Sequence, residues 1–221
     1  MNDASAAVPR SLGETITQEI RRMLVEGELV PGQRLSEAAL AETLDISRNT
    51  LREAFRVLTR EGLLKHEPNR GVTVAEPDMG SIIDIYRVRR FIECQAIAQG
   101  YPQHPGARHM REAVEAGERG REAKDWVAVG TANMMFHQAV VELADSPRLL
   151  AFYGQISAEL RLAFGVLNDP QFLHVPYLDM NGQILRCVEE GRPTDARAML
   201  ESYLVQSERT VLAAYERRAR R

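Results

Sequence analysis

From Leu12 the apolar residues recur as Leu12, Ile16, Ile20, Met23 and Leu24, the spacing that turns one face of a helix toward a core. The stretch EGELVPGQRL, residues 26–35, ends that helix. A second, short helix starts behind Ser36, whose hydroxyl can cap the free amides of its first turn while Leu35 and Leu40 form a hydrophobic staple. LDIS interrupts it after Leu44, and Ser47 is placed to cap a third helix. There Leu51, Ala54, Phe55 and Leu58 follow the i, i+3, i+4, i+7 rule, so its core face is set. At about 100° per residue, Asn49, Arg52 and Arg56 point away from that seam, and Arg48 lies at its edge. LLKHEPNRGVTV then reads as two short strands around a turn: Pro68, Asn69 and Gly71 supply turn geometry, while Val72 and Val74 alternate as in a half-buried strand.

Beyond the polar stretch AEPDMGS the pattern changes to helices throughout. Ile82, Ile85, Tyr86, Arg89, Ile92 and Ala96 open a long amphipathic helix stopped by QGYPQHPG. Further helices fit residues 106–121, 124–144, 147–168, 171–190 and 193–219, with Pro147, Pro170 and Pro193 near first turns, where a missing amide costs nothing. The expected organisation is a flexible N-terminus at 1–11, a winged helix-turn-helix at 12–75, a linker at 76–81, and a helical domain at 82–221. The fold class is mainly α, the C-terminal part being an antiparallel bundle of about six helices.

Composition changes this picture little. The 221 residues are 44% hydrophobic and 27% charged, ordinary globular values. With 28 Lys and Arg against 31 Asp and Glu, the net charge of −3 does not advertise a nucleic-acid or membrane partner, so any such partner must be met by a local patch. No apolar run approaches the roughly 20 residues of a membrane span, and no basic region followed by an apolar core marks a secretion signal, so a cytoplasmic, nucleoid-associated location with no membrane partner is expected. Cys94 and Cys187 sit in helical apolar contexts and read as buried reduced thiols. There is no nucleophile elbow, phosphate-cradling glycine loop, HExxH helix or paired carboxylates beside a base, which argues against an enzyme.

The outward arginines of the third helix carry the chemistry. A solvated face paired with Glu53 and Glu61 is the bland explanation. Two short helices joined by a tight turn, the second presenting arginines and small polar residues from its N-terminal half, is instead the arrangement that enters a DNA major groove. A guanidinium fork suits that task, since it bonds a phosphate or the O6 and N7 acceptors of guanine. GELVPGQRLSEAALAETLDISRNTLREAFRVLTREGLLKHEPNRGVTV, residues 27–74, resembles the winged-helix domain of GntR-family transcription regulators in its PG-x-x-L-x-E, S-R-x-x-x-R-E-A, L-x-x-E-G-L and N-R-G-V stretches. The resemblance implies that Ser47, Arg48, Asn49, Thr50 and Arg52 approach bases and backbone, with Arg70 on the wing. Arg34, Arg56 and Gly71 complete the expected DNA-facing set, and Lys65 or His66 are placed to reach a phosphate. Some relatives carry a DNA-contacting arginine where this chain has Ala38, which implies a different preferred operator.

Two further stretches, YRVRRFIE at 86–93 and NMMFHQAV at 133–140, resemble the effector domain of the FadR subfamily, the FCD type. In that family an acidic residue four positions before a histidine, with two later histidines, commonly holds a divalent metal. The matching positions here are Asn133, His137, Asn181 and Tyr203, and only His137 is a strong ligand. Neutral amides and a protonated phenol suit a zinc-like ion poorly, so no metal cofactor is expected, with a labile divalent ion through His137 as the alternative. If the four face one cavity, they form a polar patch for a small metabolite, with Arg89 placed to hold its carboxylate; otherwise they bond one another as a relic. His104, His109 and His174 read as surface residues, Trp126 and Phe136 as core, and the terminal ERRARR as a solvated helix end. The expected protein is a homodimeric repressor reading a near-palindromic double-stranded operator, its binding modulated by an organic acid. A constitutive DNA binder with a dead pocket is the alternative.

Overall fold

The computed structural model describes residues 11–67 and 71–220. The first helix, α1 (Leu12–Glu26), opens on a reciprocal capping box between Ser11 and Glu14 and closes on Gly27, which takes the left-handed conformation at φ 80°. A short strand β1 (Arg34–Leu35) precedes α2 (Glu37–Thr43) and α3 (Arg48–Arg60). The serines expected to cap these helices do so: the Ser36 hydroxyl accepts from the Ala39 amide and the Ser47 hydroxyl from that of Thr50. Strands β2 (Leu64–Glu67) and β3 (Gly71–Val74) pair antiparallel with Leu64 opposite Val74, and β1 pairs with the outer edge of β3. The sheet order is therefore β1-β3-β2. Two-residue β1 falls in a stretch that the hydrophobic pattern reads only as a helix stop, because its ladder is completed by a strand almost forty residues later.

The second part is built of α4 (Met79–Ile97), α5 (Pro105–Ala123), α6 (Trp126–Glu142), α7 (Pro147–Leu167), α8 (Pro170–Glu189) and α9 (Pro193–Ala219). α4 begins three residues ahead of the expected Ile82, because the Asp78 carboxylate accepts the Ser81 amide and caps the helix inside the supposed linker. Pro147, Pro170 and Pro193 occupy the first turns of their helices, as does Pro105. Pro176 lies inside α8, where it removes one backbone donor without ending the helix. One apolar cluster unites Met110, Phe136, Ile184 and Leu200, and a second unites Ile82, Tyr86, Leu160, Phe164 and Leu173.

The core of the winged helix is not closed by its own elements. Ile20, Leu24, Leu51, Phe55, Leu58 and Val72 pack with Ala158 and Leu162, which come from α7. The glycine at 165 lets the same helix meet the α1–β1 connection, since a Cβ there would lie 2.7 Å from Pro31 Cδ. α7 thus presents one side to the bundle and the other to the winged helix. Among the described residues no helix is long and apolar enough to cross a membrane.

Candidate nucleic-acid interface and buried polar cluster

The third helix buries Leu51, Ala54, Phe55 and Leu58 and leaves Arg48, Asn49, Arg52 and Arg56 exposed. The Arg52 and Arg56 side chains are 58% and 71% exposed. Each is held by a carboxylate from the same surface: Arg52 Nε donates to Glu37 at 2.8 Å, and Arg56 Nη1 to Glu53 at 2.6 Å. These exposed pairs contribute little to stability, so the guanidiniums can change partners cheaply. At the head of the helix the Ser47 and Thr50 hydroxyls meet at 2.9 Å.

Between α3 and the wing lies a concavity of about 780 Å³ lined by Arg52, Arg56, Arg60 and His66. Alternation along β2 sends Lys65 to the opposite face, where it shares a second hollow with Arg34 and Thr73. Arg34 therefore stands apart from the α3 arginines. Gly71 opens β3 in the left-handed conformation, φ 83°, and Arg70 lies outside the described residues. Ala38 is exposed on α2. A basic helix face, a capped N-terminal turn and a flanking β-hairpin can together bond a duplex by phosphates and base edges.

Within the bundle the structure brings Asn133, His137, Asn181 and Tyr203 together. Asn133 Oδ1 accepts from Asn181 Nδ2 at 2.8 Å and from the Tyr203 hydroxyl at 3.0 Å, while that hydroxyl also lies 2.9 Å from His137 Nε2. The single phenolic proton faces two acceptors, the Asn133 amide oxygen and the His137 imidazole nitrogen. His137 Nδ1 faces Glu93 Oε2 at 2.7 Å, and Glu93 Oε1 accepts from Arg89 Nε and from the Tyr153 hydroxyl, both at 2.7 Å. Arg89, expected to hold an effector carboxylate, already holds an internal one. Glu93 and Tyr153 escape a reading by linear spacing to a histidine; the only local signal was the i, i+4 placement of Arg89 and Glu93.

The electrostatics follow from burial. Desolvation alone would raise the Glu93 carboxyl, but Arg89 and His137 hold it down at about 2. Desolvation outweighs the Glu93 charge at His137, which is pushed below its ordinary value and stays neutral. Burial raises the Tyr203 phenol well above its usual range. This donor set does not fit a divalent transition metal. Both imidazole nitrogens are engaged, the phenol keeps its proton, and Asn133 Oδ1 already accepts twice. Among the described residues no three His, Cys, Asp or Glu side chains form a group able to hold an ion.

Two of the three histidines expected at the surface, His104 and His174, are instead buried. His104 is buried, its Nδ1 capping α5 by accepting the Gly106 amide at 2.9 Å while Nε2 reaches Asp145. His174 is 1% exposed, in edge contact with Phe164, and among the described residues neither nitrogen has a hydrogen-bond partner. His109 is partly exposed beside Glu142. Phe136 is core, Trp126 only half-buried, and both cysteines are free and buried.

The chain matches the family model described as bacterial regulatory proteins, gntR family, over residues 12–74, and that of the FCD domain over residues 84–206. It is 25% identical over 137 residues to the HTH-type transcriptional regulator YdhC of Bacillus subtilis (strain 168), an alignment spanning 59% of this chain and 60% of that protein. It is 27% identical over 182 residues to the HTH-type transcriptional repressor RspR of Escherichia coli (strain K12), covering 76% of this chain and 77% of that one. A solved GntR transcriptional regulator from Rhodococcus sp. RHA1 superposes with a TM-score of 0.84 at 34% identity, covering 93% of this chain and all of that structure. With a basic α3 face beside a β-hairpin and a helical bundle following it, the chain belongs to the GntR family of DNA-binding transcriptional regulators, with an FCD domain behind its winged helix.

Proposed function

We propose that this regulator is a homodimeric repressor whose operator affinity changes when its helical domain binds a small organic acid. Two-fold pairing would set two copies of α3 on successive major-groove faces, which suits a near-palindromic operator. The similarity to a protein named a repressor supports the sign of regulation. One observation carries the link between ligand and DNA: Ala158 and Leu162 of α7 sit in the core beneath α1 and α3. A shift of α7 within the bundle must move the reading head or open its core, because packed interiors have no slack. The ligand must also bind the two arrangements with different affinity. An acid entering beside Arg89 would have to displace Glu93, so the cluster around His137, Asn133, Asn181 and Tyr203 is read as structural.

The test is a mobility-shift titration of the full chain against fragments of its own promoter region, with and without small organic acids. Selective retardation of one fragment, relieved by an acid, is the expected result. Equal affinity for promoter and unrelated duplex at moderate salt overturns operator recognition, and selective binding that no acid alters leaves a constitutive repressor.

A further inference from the structure

Where α1 ends, the two domains enclose a cavity of about 370 Å³ whose walls are shared: Leu24, Leu29 and Pro31 from the winged helix, and Val127, Phe164 and Val166 from the bundle. That is the size of a small metabolite site. Arg161 and His174 stand in its wall, with Arg218, Asn168 and Glu76 as the other charged or polar lining. We propose that this interdomain cavity binds a small carboxylate with an apolar body, its charge taken by Arg161. The proposal rests on the reading that DNA binding responds to an organic acid, and it places that acid away from the Asn133 and His137 cluster.

Three buried arginines make the comparison. Arg21 donates to Glu61 at 2.6 Å and Arg89 to Glu93 at 2.7 Å, each meeting a carboxylate of the chain itself. Arg161, 8% exposed, makes no hydrogen bond or ion pair among the described residues. A buried guanidinium without a counter-charge is costly, and burial accordingly pulls Arg161 below its ordinary value with no carboxylate to offset it. His174 packs behind the guanidinium, its ring nitrogens closed to solvent and, among the described residues, without a hydrogen-bond partner. Room for the guanidinium is made by glycines of both domains. A Cβ at Gly130 of α6 would overlap Arg161 Nη1 and lie 2.9 Å from His174 Nε2, and one at Gly27 would lie 3.0 Å from Arg161 Nη2. Of the rim charges, Arg218 bonds the Val166 carbonyl, and Glu76 lies toward Gly32, where a Cβ would meet its Oε1 at 3.1 Å. Two guanidiniums against one carboxylate leave the cavity suited to an anion, and its aliphatic and aromatic wall suits an apolar body. An occupant would touch the cap of α1 and α7 together, the two elements through which the bundle meets the winged helix.

Calorimetric titration of the purified full chain with sodium benzoate, hexanoate, acetate and inorganic phosphate tests this. Benzoate or hexanoate should bind more tightly than acetate or phosphate, and Arg161→Gln should weaken that binding about tenfold or more. Val127→Trp, at an exposed position on the cavity wall, should abolish binding while leaving Arg161 untouched, which covers the case of an Arg161→Gln protein that does not fold. Undiminished benzoate binding to either folded variant, no binding of either apolar acid to the parent, or phosphate binding as tightly as benzoate overturns the site. Mobility shifts without any acid are measured on the same proteins. Operator binding by a parent chain that takes up neither benzoate nor hexanoate sinks the cavity alone, whereas loss of operator recognition in the parent sinks the reading of its DNA face.

Discussion

Glu93 is the residue on which the buried polar cluster turns, since Arg89, Tyr153 and His137 all bond its carboxylate. Glu93→Gln would strand the Arg89 guanidinium in a dry interior, and we expect it to cost about 3–5 kcal/mol in urea unfolding. A variant as stable as the parent would show that the charges there are not coupled. Acid stability follows from the same groups. The Glu93 carboxyl, held at about 2, contributes stability that is complete above its ordinary value of 4.5 and is lost as pH falls toward 2. His174 is held neutral at about 3 by burial, Arg161 and His137, so below pH 6.5 the unfolded chain takes up a proton that the folded chain refuses. Both effects destabilise the fold on acidification, and the histidine acts first. Between pH 6.5 and 4.5 the slope from His174 approaches about 1.4 kcal/mol per pH unit, and His174→Phe should flatten that limb of an unfolding series. An unchanged slope would mean that His174 is protonated in the folded protein. The resemblance to FCD effector domains pointed to Asn133, His137, Asn181 and Tyr203 as one group, and they do meet. It could not show that Glu93 fills the place of an external acid, because that depends on which helix faces which.

At the level of elements, α3 reads directly from its apolar period and its serine cap, which is why its exposed face was legible before any coordinates. If α3 enters the major groove as proposed, removing one exposed fork, Arg52→Ala, should cost about 1–3 kcal/mol at the operator and flatten base preference. Equal affinity in a mobility-shift titration would remove Arg52 from the reading set. Its tether to Glu37 could not be read from the chain, since the two lie fifteen positions apart on different helices. Glu37→Gln frees the guanidinium and should tighten DNA binding by about 0.2–1 kcal/mol at low salt, an effect that fades as salt rises. Weaker binding would show that Glu37 orients Arg52 for DNA.

For the whole molecule, the winged helix and the bundle are joined by a shared core as well as by a linker. Leu162→Ala, a substitution in the C-terminal part, should therefore destabilise the N-terminal reading head by about 2–5 kcal/mol, visible as lost exchange protection of α1 and α3 amides in the full chain. Protection lost only in the bundle would break the proposed coupling. The chain alone determined its helices, their caps and the basic face of α3, because periodicity and capping are local properties that neighbours a few positions apart decide. Only the tertiary structure decided that Arg89 is answered from within, that His174 is buried, and that Arg161, among the described residues, stands unpaired where two domains meet. Burial and charge pairing are settled by residues far apart in sequence and close in space, and linear spacing carries no record of them.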